Sequence, residues 1–274
     1  SLLETDSISE EDEDDDGREE VLVRDYFGLH KLLMVRTAVG KLLALDSLSG
    51  KVIWSKYEPD LAITTTGNEP RFPIWVQRTS AHYPHSAVCT VLAEGNEGKS
   101  PLFYSWDPFT GATLDSKLIE AENNGEVALG VAQAYLVNQI HDAEFRRPIL
   151  YLTTDGNAYL YPDSLLIRQR FATQAPVYYM LVANATAKLI RGYSLIKSNA
   201  EVGPRATPVW SFSLPLIGSS RLVSLAVHFK RPTEVVHSQG RVLGDRNVLY
   251  KYLNPNLVAI VWESIEAVQE KRKS

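Results

Sequence analysis

The chain has 274 residues, of which 45% are hydrophobic and 22% are charged. This length is enough for a sizeable core in one domain or two small ones. The one cysteine, Cys89, excludes an internal disulfide. No run reaches about 18 uninterrupted apolar residues, so the sequence predicts no membrane-spanning segment.

Charge is unevenly distributed along the chain. Residues 1–20 hold 11 acidic residues and one arginine, which leaves 22 acidic and 27 basic residues in the other 254. The net charge of −5 is therefore the sum of an acidic segment at −10 and a mildly basic body at +5. We expect residues 1–20 to be disordered because they lack the apolar content that offsets ordering entropy. Residues 21–265 are expected to fold, and residues 266–274 to form a charged tail.

Short apolar runs joined by tight turns follow the acidic segment. Residues 31–37, 40–46 and 51–56 predict a three-stranded antiparallel meander. The same pattern of three short strands is repeated in residues 87–95, 101–107 and 112–119, at an offset of 61 residues. Later copies are predicted in the ranges 148–171, 177–196 with 207–215, and, incompletely, 221–230 with 247–264. Residues 57–84 and 120–146 are predicted as long insertions, and residues 118–137 as the place for one short helix.

These repeats indicate one class of fold. Repeats of about 40–60 residues, each with about four short strands, are typical of a β-propeller. The sequence therefore predicts an all-β protein, a propeller of quinoprotein-like type present as a partial ring of about four to five blades.

One motif recurs where two of the predicted strands meet. The stretch ALDSLSGKVIW places Asp46, Gly50 and Trp54 at fixed offsets, and SWDPFTGATLD repeats it with Asp107 and Gly111. An aspartate at this place accepts amides across a tight turn, and glycine permits a positive φ. The returning strand then brings the tryptophan to the surface between neighbouring blades. We interpret the spacing as architectural.

The motif resembles the tryptophan-docking pattern of quinoprotein-type propellers, Ala-x-Asp-x-x-Thr-Gly-x-x-x-Trp. The second copy has Asp115 where the tryptophan would stand. A closer resemblance, to the family of ER membrane protein complex subunit 1, covers nearly the whole chain from Val21 to Glu263. It rests on residues 23–57 and 75–85, and above all on the stretch VHSQGRVLGDRNVLYKYLNPNLVAIVWES at 236–264, which blade periodicity does not explain.

That resemblance implies a non-catalytic, lumenal scaffold in a complex of the endoplasmic reticulum membrane. The complex inserts transmembrane segments, including tail anchors, and assists multipass proteins. The implied partners are the other subunits of the complex and membrane-protein clients, with no cofactor and no nucleic acid. Membrane contact is expected only through parts absent from this chain. The alternatives are a quinoprotein-like dehydrogenase, which needs a carboxylate-rich calcium site, and a soluble propeller adaptor.

Chemical motifs elsewhere in the sequence are weak. Residues 93–100 fit a loose phosphate-loop pattern, but a strand-like run follows where a helix is required. His82 and His85 form a close pair without a cysteine or carboxylate beside them, so a metal site is not favoured. The triad residue types His237, Ser238 and Asp245 lack any nucleophile signature.

A polar loop network and a modification site complete the candidates. We predict that polar side chains pin one long loop, with two glycines permitting its turns; its members are His237, Gln239, Gly240, Arg241, Gly244, Asp245 and Arg246. Asn184 begins an N-glycosylation sequon in a predicted turn. The basic pair Arg146 and Arg147 is predicted to lie on a solvated surface.

Overall fold

The structure is a computed structural model, and it describes residues 29–63, 72–94, 100–119, 130–196, 202–215, 221–229, 240–250 and 257–265. The predicted acidic segment (residues 1–20) and the charged tail (residues 266–274) lie outside the described residues.

Antiparallel strands dominate the described chain, joined by one α-helix and a 3-10 helix at Pro59–Leu61. The elements are β1 (Leu32–Arg36), β2 (Lys41–Asp46), β3 (Val52–Tyr57), β4 (Trp75–Arg78), β5 (Val88–Ala93), β6 (Leu102–Trp106), β7 (Thr113–Leu118), β8 (Val131–Leu136), β9 (Ile149–Thr153), β10 (Ala158–Tyr161), α1 (Leu165–Gln174), β11 (Tyr178–Asn184), β12 (Leu189–Ile196), β13 (Arg205–Ser213), β14 (Arg221–Phe229), β15 (Gly240–Val242), β16 (Val248–Tyr250) and β17 (Val258–Ile265).

These strands form successive blades of a β-propeller. The first blade is β1-β2-β3, the second β4-β5-β6-β7, the third β10-β9-β8 and the fourth β11-β12-β13. A two-stranded sheet of β14 and β17 follows, called here the last sheet, and β15 pairs with β16 in a separate hairpin. No described strand joins the first blade to the last sheet, so the part of the ring that the structure describes is open. This agrees with the predicted partial ring.

Each blade buries one face against the next, so apolar cores follow one another along the chain. Burial of these faces is the main source of stability in such an assembly, since every sheet has an apolar side to cover. The cores include Leu42 and Trp106 between the first and second blades, Phe103 and Tyr151 between the second and third, Leu152 and Met180 between the third and fourth, and Ile190 and Ile260 between the fourth blade and the last sheet.

The predicted strands of the first two repeats are confirmed within a residue or two, but the predicted insertions are partly wrong. Residues 57–84 contain β4 (Trp75–Arg78), the first strand of the second blade, and residues 120–146 contain β8 (Val131–Leu136). β4 is short and carries the polar residues Gln77 and Arg78, so it lacks the apolar alternation that identifies a strand.

The helix α1 lies where the sequence predicts a strand-rich third repeat. It begins after Ser164, whose hydroxyl accepts the Ile167 amide at 3.3 Å, and it buries Ile167 and Phe171 against the third and fourth blades. The sequence predicts a short helix within residues 118–137 instead. That prediction is wrong for the described residues of this range, which include the last residue of β7 and all of β8. Among the described residues, no helix has the length and apolar character needed to span a membrane.

Candidate functional site

The turn between β2 and β3, residues 46–50, is closed by one carboxylate and is called here the first Asp turn. Asp46 Oδ1 accepts the Leu48 amide at 3.1 Å, and Oδ2 accepts the Ser49 amide at 3.1 Å and the Ser49 hydroxyl at 2.6 Å. The Gly50 amide donates to the Asp46 carbonyl at 2.9 Å, and Gly50 has φ +72°. Hydrogen bonds from Ser49 and Leu48 hold the pKa of the Asp46 carboxyl well below its usual range.

The turn between β6 and β7, residues 107–111, repeats this geometry and is called the second Asp turn. Asp107 Oδ1 accepts the Phe109 amide at 2.8 Å, and the Gly111 amide donates to the Asp107 carbonyl at 2.9 Å. Gly111 has φ +73°, almost the value of Gly50. The 61-residue offset in the sequence therefore relates two turns of one conformation.

Trp54, on β3, links the first blade to the second Asp turn. Its indole Nε1 donates to the Pro108 carbonyl at 2.9 Å. A Cβ placed on Gly111 would lie 2.9 Å from Cδ2 and Cε3 of the indole, closer than real Cβ contacts allow. Gly111 thus provides both the positive φ and the space for the ring. The sequence predicts that Trp54 lies between neighbouring blades, and in the structure it lies between the first blade and the second.

A polar cluster lies at the same contact. Lys56 Nζ donates to Tyr104 Oη at 2.8 Å and lies 2.9 Å from Glu58 Oε1, while Tyr104 Oη donates to Glu58 Oε1 at 2.9 Å. The bond to Glu58, followed by that to Tyr104, raises the pKa of the Lys56 ammonium. The first and second blades are therefore joined by an aromatic contact and a charged one.

Between the second and third blades, a row of polar side chains replaces the tryptophan contact. Thr90, Ser105 and Asp115 lie side by side on β5, β6 and β7. The Thr90 hydroxyl donates to Gln77 Oε1 at 2.6 Å and lies 2.8 Å from Ser105 Oγ. Tyr161 Oη, from the third blade, lies 3.0 Å from Ser105 Oγ and donates to Asp115 Oδ2 at 2.7 Å. We call these five residues the polar row.

Arg146 completes the polar row from the loop before β9. Its Nε donates to Gln77 Oε1 at 2.9 Å, one terminal nitrogen donates to Ser105 Oγ at 3.0 Å, and the other lies 3.6 Å from Asp115 Oδ2. The guanidinium carbon is 5.1 Å from the Tyr161 ring centroid. Burial raises the pKa of Tyr161 to about 12, so this hydroxyl stays protonated at neutral pH.

The predicted solvated placement is wrong for Arg146, whereas Arg147 is half-buried. The Arg146 side chain is only 14% exposed. Arg147 Nε donates to the Gln77 carbonyl at 3.3 Å, and one of its terminal nitrogens donates to Asn138 Oδ1 at 2.9 Å. No local signal predicts the burial of Arg146, because its partner residue, Gln77, lies 69 positions away. Long-range polar pairing has no local pattern.

Of the histidine pair His82 and His85, the first packs against an aromatic ring that also contacts His141. His82 stacks on Phe145 with ring centroids 4.7 Å apart, and His141 stacks on Phe145 at 5.0 Å. Within the described ranges, no group of three or more His, Cys, Asp or Glu residues is arranged to hold a metal ion. Of the three residues with triad chemistry, His237 and Ser238 lie outside the described residues, and both carboxylate oxygens of Asp245 accept hydrogen bonds from Asn247.

The predicted loop network is described only in part, since His237 and Gln239 lie outside the described residues. Gly240 and Arg241 begin the exposed hairpin of β15 and β16. In the described turn of the hairpin the left-handed residue is Arg246, at φ +70°, and Gly244 has no positive φ. Hydrogen bonds from Asn247 to Asp245, and from Arg246 to the Leu243 carbonyl, close this turn.

Two further predicted features lie in connections between strands. Asn184 ends β11 and is exposed, and its Oδ1 accepts the Ala187 amide at 2.7 Å. The phosphate-loop-like stretch lies between β5 and β6, which pair antiparallel, and its residues 95–99 lie outside the described residues. The elements on both sides of that stretch are therefore strands of one hairpin.

The sheets and their contacts define the class of protein, a β-propeller whose blades interlock through aromatic and polar side chains. A family model described as "ER membrane protein complex subunit 1, second beta-propeller" matches residues 28–271. The chain belongs to this family.

Curated relatives support the assignment. A protein named ER membrane protein complex subunit 1 from Gallus gallus is 30% identical over 254 residues, which are 91% of this chain and 23% of the relative. The protein of the same name from Xenopus laevis is 32% identical over 253 residues, 92% of this chain and 24% of the relative. One from Schizosaccharomyces pombe is 45% identical over 51 residues, 19% of this chain. The chain spans about a quarter of the length of the chicken and frog relatives.

Proposed function

We propose that this chain acts as a non-catalytic scaffold on the lumenal side of the ER membrane protein complex. In that role it supports the insertion of tail-anchored and multipass proteins into the membrane. Membership of the family carries the proposal, because the relatives are named as subunits of that complex. The partners are then the other subunits and, through them, membrane-protein clients.

The contacts between blades are consistent with a scaffold. The polar side chains that converge in the polar row are engaged with one another, with Tyr161 donating to Asp115 at 2.7 Å and Arg146 donating to Gln77 at 2.9 Å. A buried network of this kind fixes the position of one blade against the next. Exposed loops and blade edges remain as surfaces for partner subunits.

Co-purification tests the proposed membership. The polypeptide is expressed with an affinity tag in cells of its own species, extracted in mild detergent and purified, and the bound proteins are identified by mass spectrometry. We expect the other subunits of the ER membrane protein complex in stoichiometric amounts. The matched control is Trp54→Ala, which disturbs the contact of the first and second blades and should reduce recovery. Absence of the complex from the unaltered protein would contradict the proposal.

The lumenal location predicts modification of Asn184. The residue is exposed at the end of β11, and only compartments of the secretory pathway hold the enzyme that glycosylates such a sequon. We expect peptide-N-glycosidase F to increase the gel mobility of the protein from cells, and Asn184→Gln to abolish that shift. Thr186→Ser keeps the sequon and should keep the shift. A modified Asn184 would exclude the cytosol, whereas an unmodified one in all of these would contradict the glycosylation and leave the compartment to the co-purification.

A further inference from the structure

Two hairpins of the described chain have turns of one conformation. The third-blade turn (residues 153–157) joins β9 to β10, and the hairpin turn (residues 243–247) joins β15 to β16. In each turn the amide of the first residue donates to the carbonyl of the last, at 2.9 Å and 2.8 Å respectively. In each, an aspartate accepts both amides of the asparagine two residues later; the pairs are Asp155 with Asn157 and Asp245 with Asn247. The residue between aspartate and asparagine has a positive φ, +95° for Gly156 and +70° for Arg246.

The two turns differ in what lies at the residue with the positive φ. A Cβ placed on Gly156 would lie 2.7 Å from Tyr193 Oη, so the fourth blade packs closely on the third-blade turn. Arg246 already has a Cβ and a long side chain there, so no ring can pack on the hairpin turn in this way. A positive φ strains a residue that has a Cβ, and residues held in such strain cluster at functional sites. The sequence therefore keeps an arginine at a position that glycine fits better.

The hairpin of β15 and β16 presents apolar side chains to solvent. All residues from 240 to 249 are exposed. Val242 and Val248 lie opposite each other on one face and are 72% and 42% exposed. Leu249, opposite Arg241 on the other face, is 60% exposed. A two-stranded hairpin is only marginally stable by itself in water, so a protein surface that covers these side chains stabilises it.

The charge of this hairpin is positive and is not compensated nearby. Residues 240–249 hold two arginines, Arg241 and Arg246, and one acidic residue, Asp245. Both carboxylate oxygens of Asp245 accept hydrogen bonds from Asn247. Among the described residues, no hydrogen bond or ion pair engages the guanidinium of Arg241 or of Arg246. A guanidinium binds a carboxylate through two parallel hydrogen bonds, so the charge of the hairpin favours an acidic partner.

We propose that the hairpin of β15 and β16 binds another protein, which places a carboxylate on Arg246 and an apolar surface on Val242 and Val248. A neighbouring blade is not the occupant, because Arg246 fills the place where a docking ring would lie. The acidic segment of this chain is not the occupant either, since residues 1–20 combine 11 acidic residues with only three apolar ones and lack the apolar surface. The contact rests on the proposed scaffold role in needing a partner, but it can fail by itself, because the complex can co-purify without using this hairpin.

Carbodiimide cross-linking in the whole polypeptide identifies the partner carboxylate. Arg246→Lys keeps the charge and supplies an amine, which carbodiimide couples to a carboxylate in direct contact. The variant is purified from cells with its bound proteins and treated, and mass spectrometry identifies the linked peptide. We expect an amide link from position 246 to an aspartate or glutamate of a different protein. A link to the same polypeptide, residues 1–20 included, overturns the proposal. If the complex co-purifies but position 246 forms no link, this contact is wrong while membership of the complex stands.

A pair of glycine variants separates binding from folding. Arg246→Gly and Lys188→Gly each replace an exposed basic residue with a positive φ in a hairpin turn, at +70° and +54°. Glycine adopts this conformation without strain, so neither change should lower the melting temperature. In the complex purified from cells, we expect hydroxyl radicals to label Val242 about tenfold more in Arg246→Gly than in the unaltered protein, because an arginine at the centre of a contact is worth at least that factor. Lys188→Gly should label like the unaltered protein. Equal labelling of Val242 in all three proteins, or a lower melting temperature for Arg246→Gly, overturns the proposal.

Discussion

One position of the repeated motif serves two different contacts. It joins the first blade to the second in one way and the second blade to the third in another. Trp54 and Asp115 lie 61 residues apart, each four residues after the glycine of an Asp turn. Trp54 extends its indole onto Gly111 of the following blade. Asp115 accepts a hydrogen bond from Tyr161 of the following blade at 2.7 Å.

Both contacts between blades therefore use an aromatic ring, but the ring can come from either the earlier or the later blade. At the first contact the earlier blade supplies the ring. At the second contact the later blade supplies it, with Tyr161 stacked on Phe103 at a centroid distance of 4.3 Å. The aspartate that replaces the tryptophan then serves as the acceptor that the buried tyrosine hydroxyl needs, since an unpaired buried hydroxyl is costly.

The largest effect is expected from breaking the first contact. Trp54→Ala removes a ring packed on the Gly111 turn and the hydrogen bond to the Pro108 carbonyl. We expect a loss of about 3 kcal/mol in the free energy of unfolding, at the lower end for tryptophan because the side chain is half-buried. Urea denaturation followed by circular dichroism measures it.

The control for this prediction separates the ring from its hydrogen bond. Trp54→Phe keeps a smaller aromatic ring at this contact and removes the Nε1 donor, so the expected loss lies between about 1 kcal/mol, the value of the hydrogen bond alone, and the loss in Trp54→Ala. If Trp54→Ala changes stability by less than about 0.5 kcal/mol, as surface substitutions do, the indole does not hold the two blades together.

The second contact should be broken less severely by Tyr161→Phe. The ring stays stacked on Phe103, but Asp115 and Ser105 lose the hydroxyl between them. We expect a loss of about 1.5 kcal/mol, the lower end for a hydrogen bond to a charged group, because the Asp115 side chain is 41% exposed and water can replace the lost donor. The comparison variant is Tyr179→Phe, whose side chain is 72% exposed and whose change should leave stability unaffected. Equal behaviour of the two variants would show that the polar row adds nothing.

The architecture could be predicted from the sequence because local residue patterns determine its strands and turns. The strands of the first two blades alternate apolar residues, and the two Asp turns combine an aspartate with a glycine at a fixed spacing, so period and turn chemistry located them. The helix α1 left a weaker signal, the cap Ser164 followed by Ile167 and Phe171 four residues apart, which a search for long amphipathic helices passes over.

The second contact could not be predicted because its partners are distant in sequence. Gln77 and Arg146 are 69 positions apart, and Tyr161 and Asp115 are 46 apart. Nothing near Asp115 indicates that a tyrosine replaces the missing tryptophan. At the second contact the later blade supplies the aromatic ring, and this becomes visible only when β7 and β10 are brought together. Pairing between blades depends on tertiary position and not on local propensity.

A smaller, pH-dependent effect is expected at Cys89, in the core of the first contact. Burial raises the pKa of its thiol to about 12. Because the thiol of the unfolded chain has a pKa of about 8.5, ionisation favours unfolding above that pH, and the loss of stability amounts to about 1 kcal/mol at pH 9. The stability difference between the unaltered chain and Cys89→Ala should therefore shrink as the pH rises from 7 to 9. Rapid reaction of the native thiol with Ellman's reagent would contradict this burial.

The smallest effect is expected at the first Asp turn, which orders the strand that carries Trp54. The pKa of Asp46 is lowered in the folded chain by the Ser49 hydroxyl and the Leu48 amide, so its carboxylate stabilises the fold above the pKa of about 3.9 of the unfolded group. This stabilisation is lost as the pH falls toward the lower folded value. Asp46→Asn should therefore be less stable than the unaltered chain at pH 7, with the gap closing in acid. Ser49→Ala removes the strongest donor, so it should move the loss to a higher pH. A gap that is constant from pH 7 to pH 3 would mean that the charge of Asp46 does not support the turn.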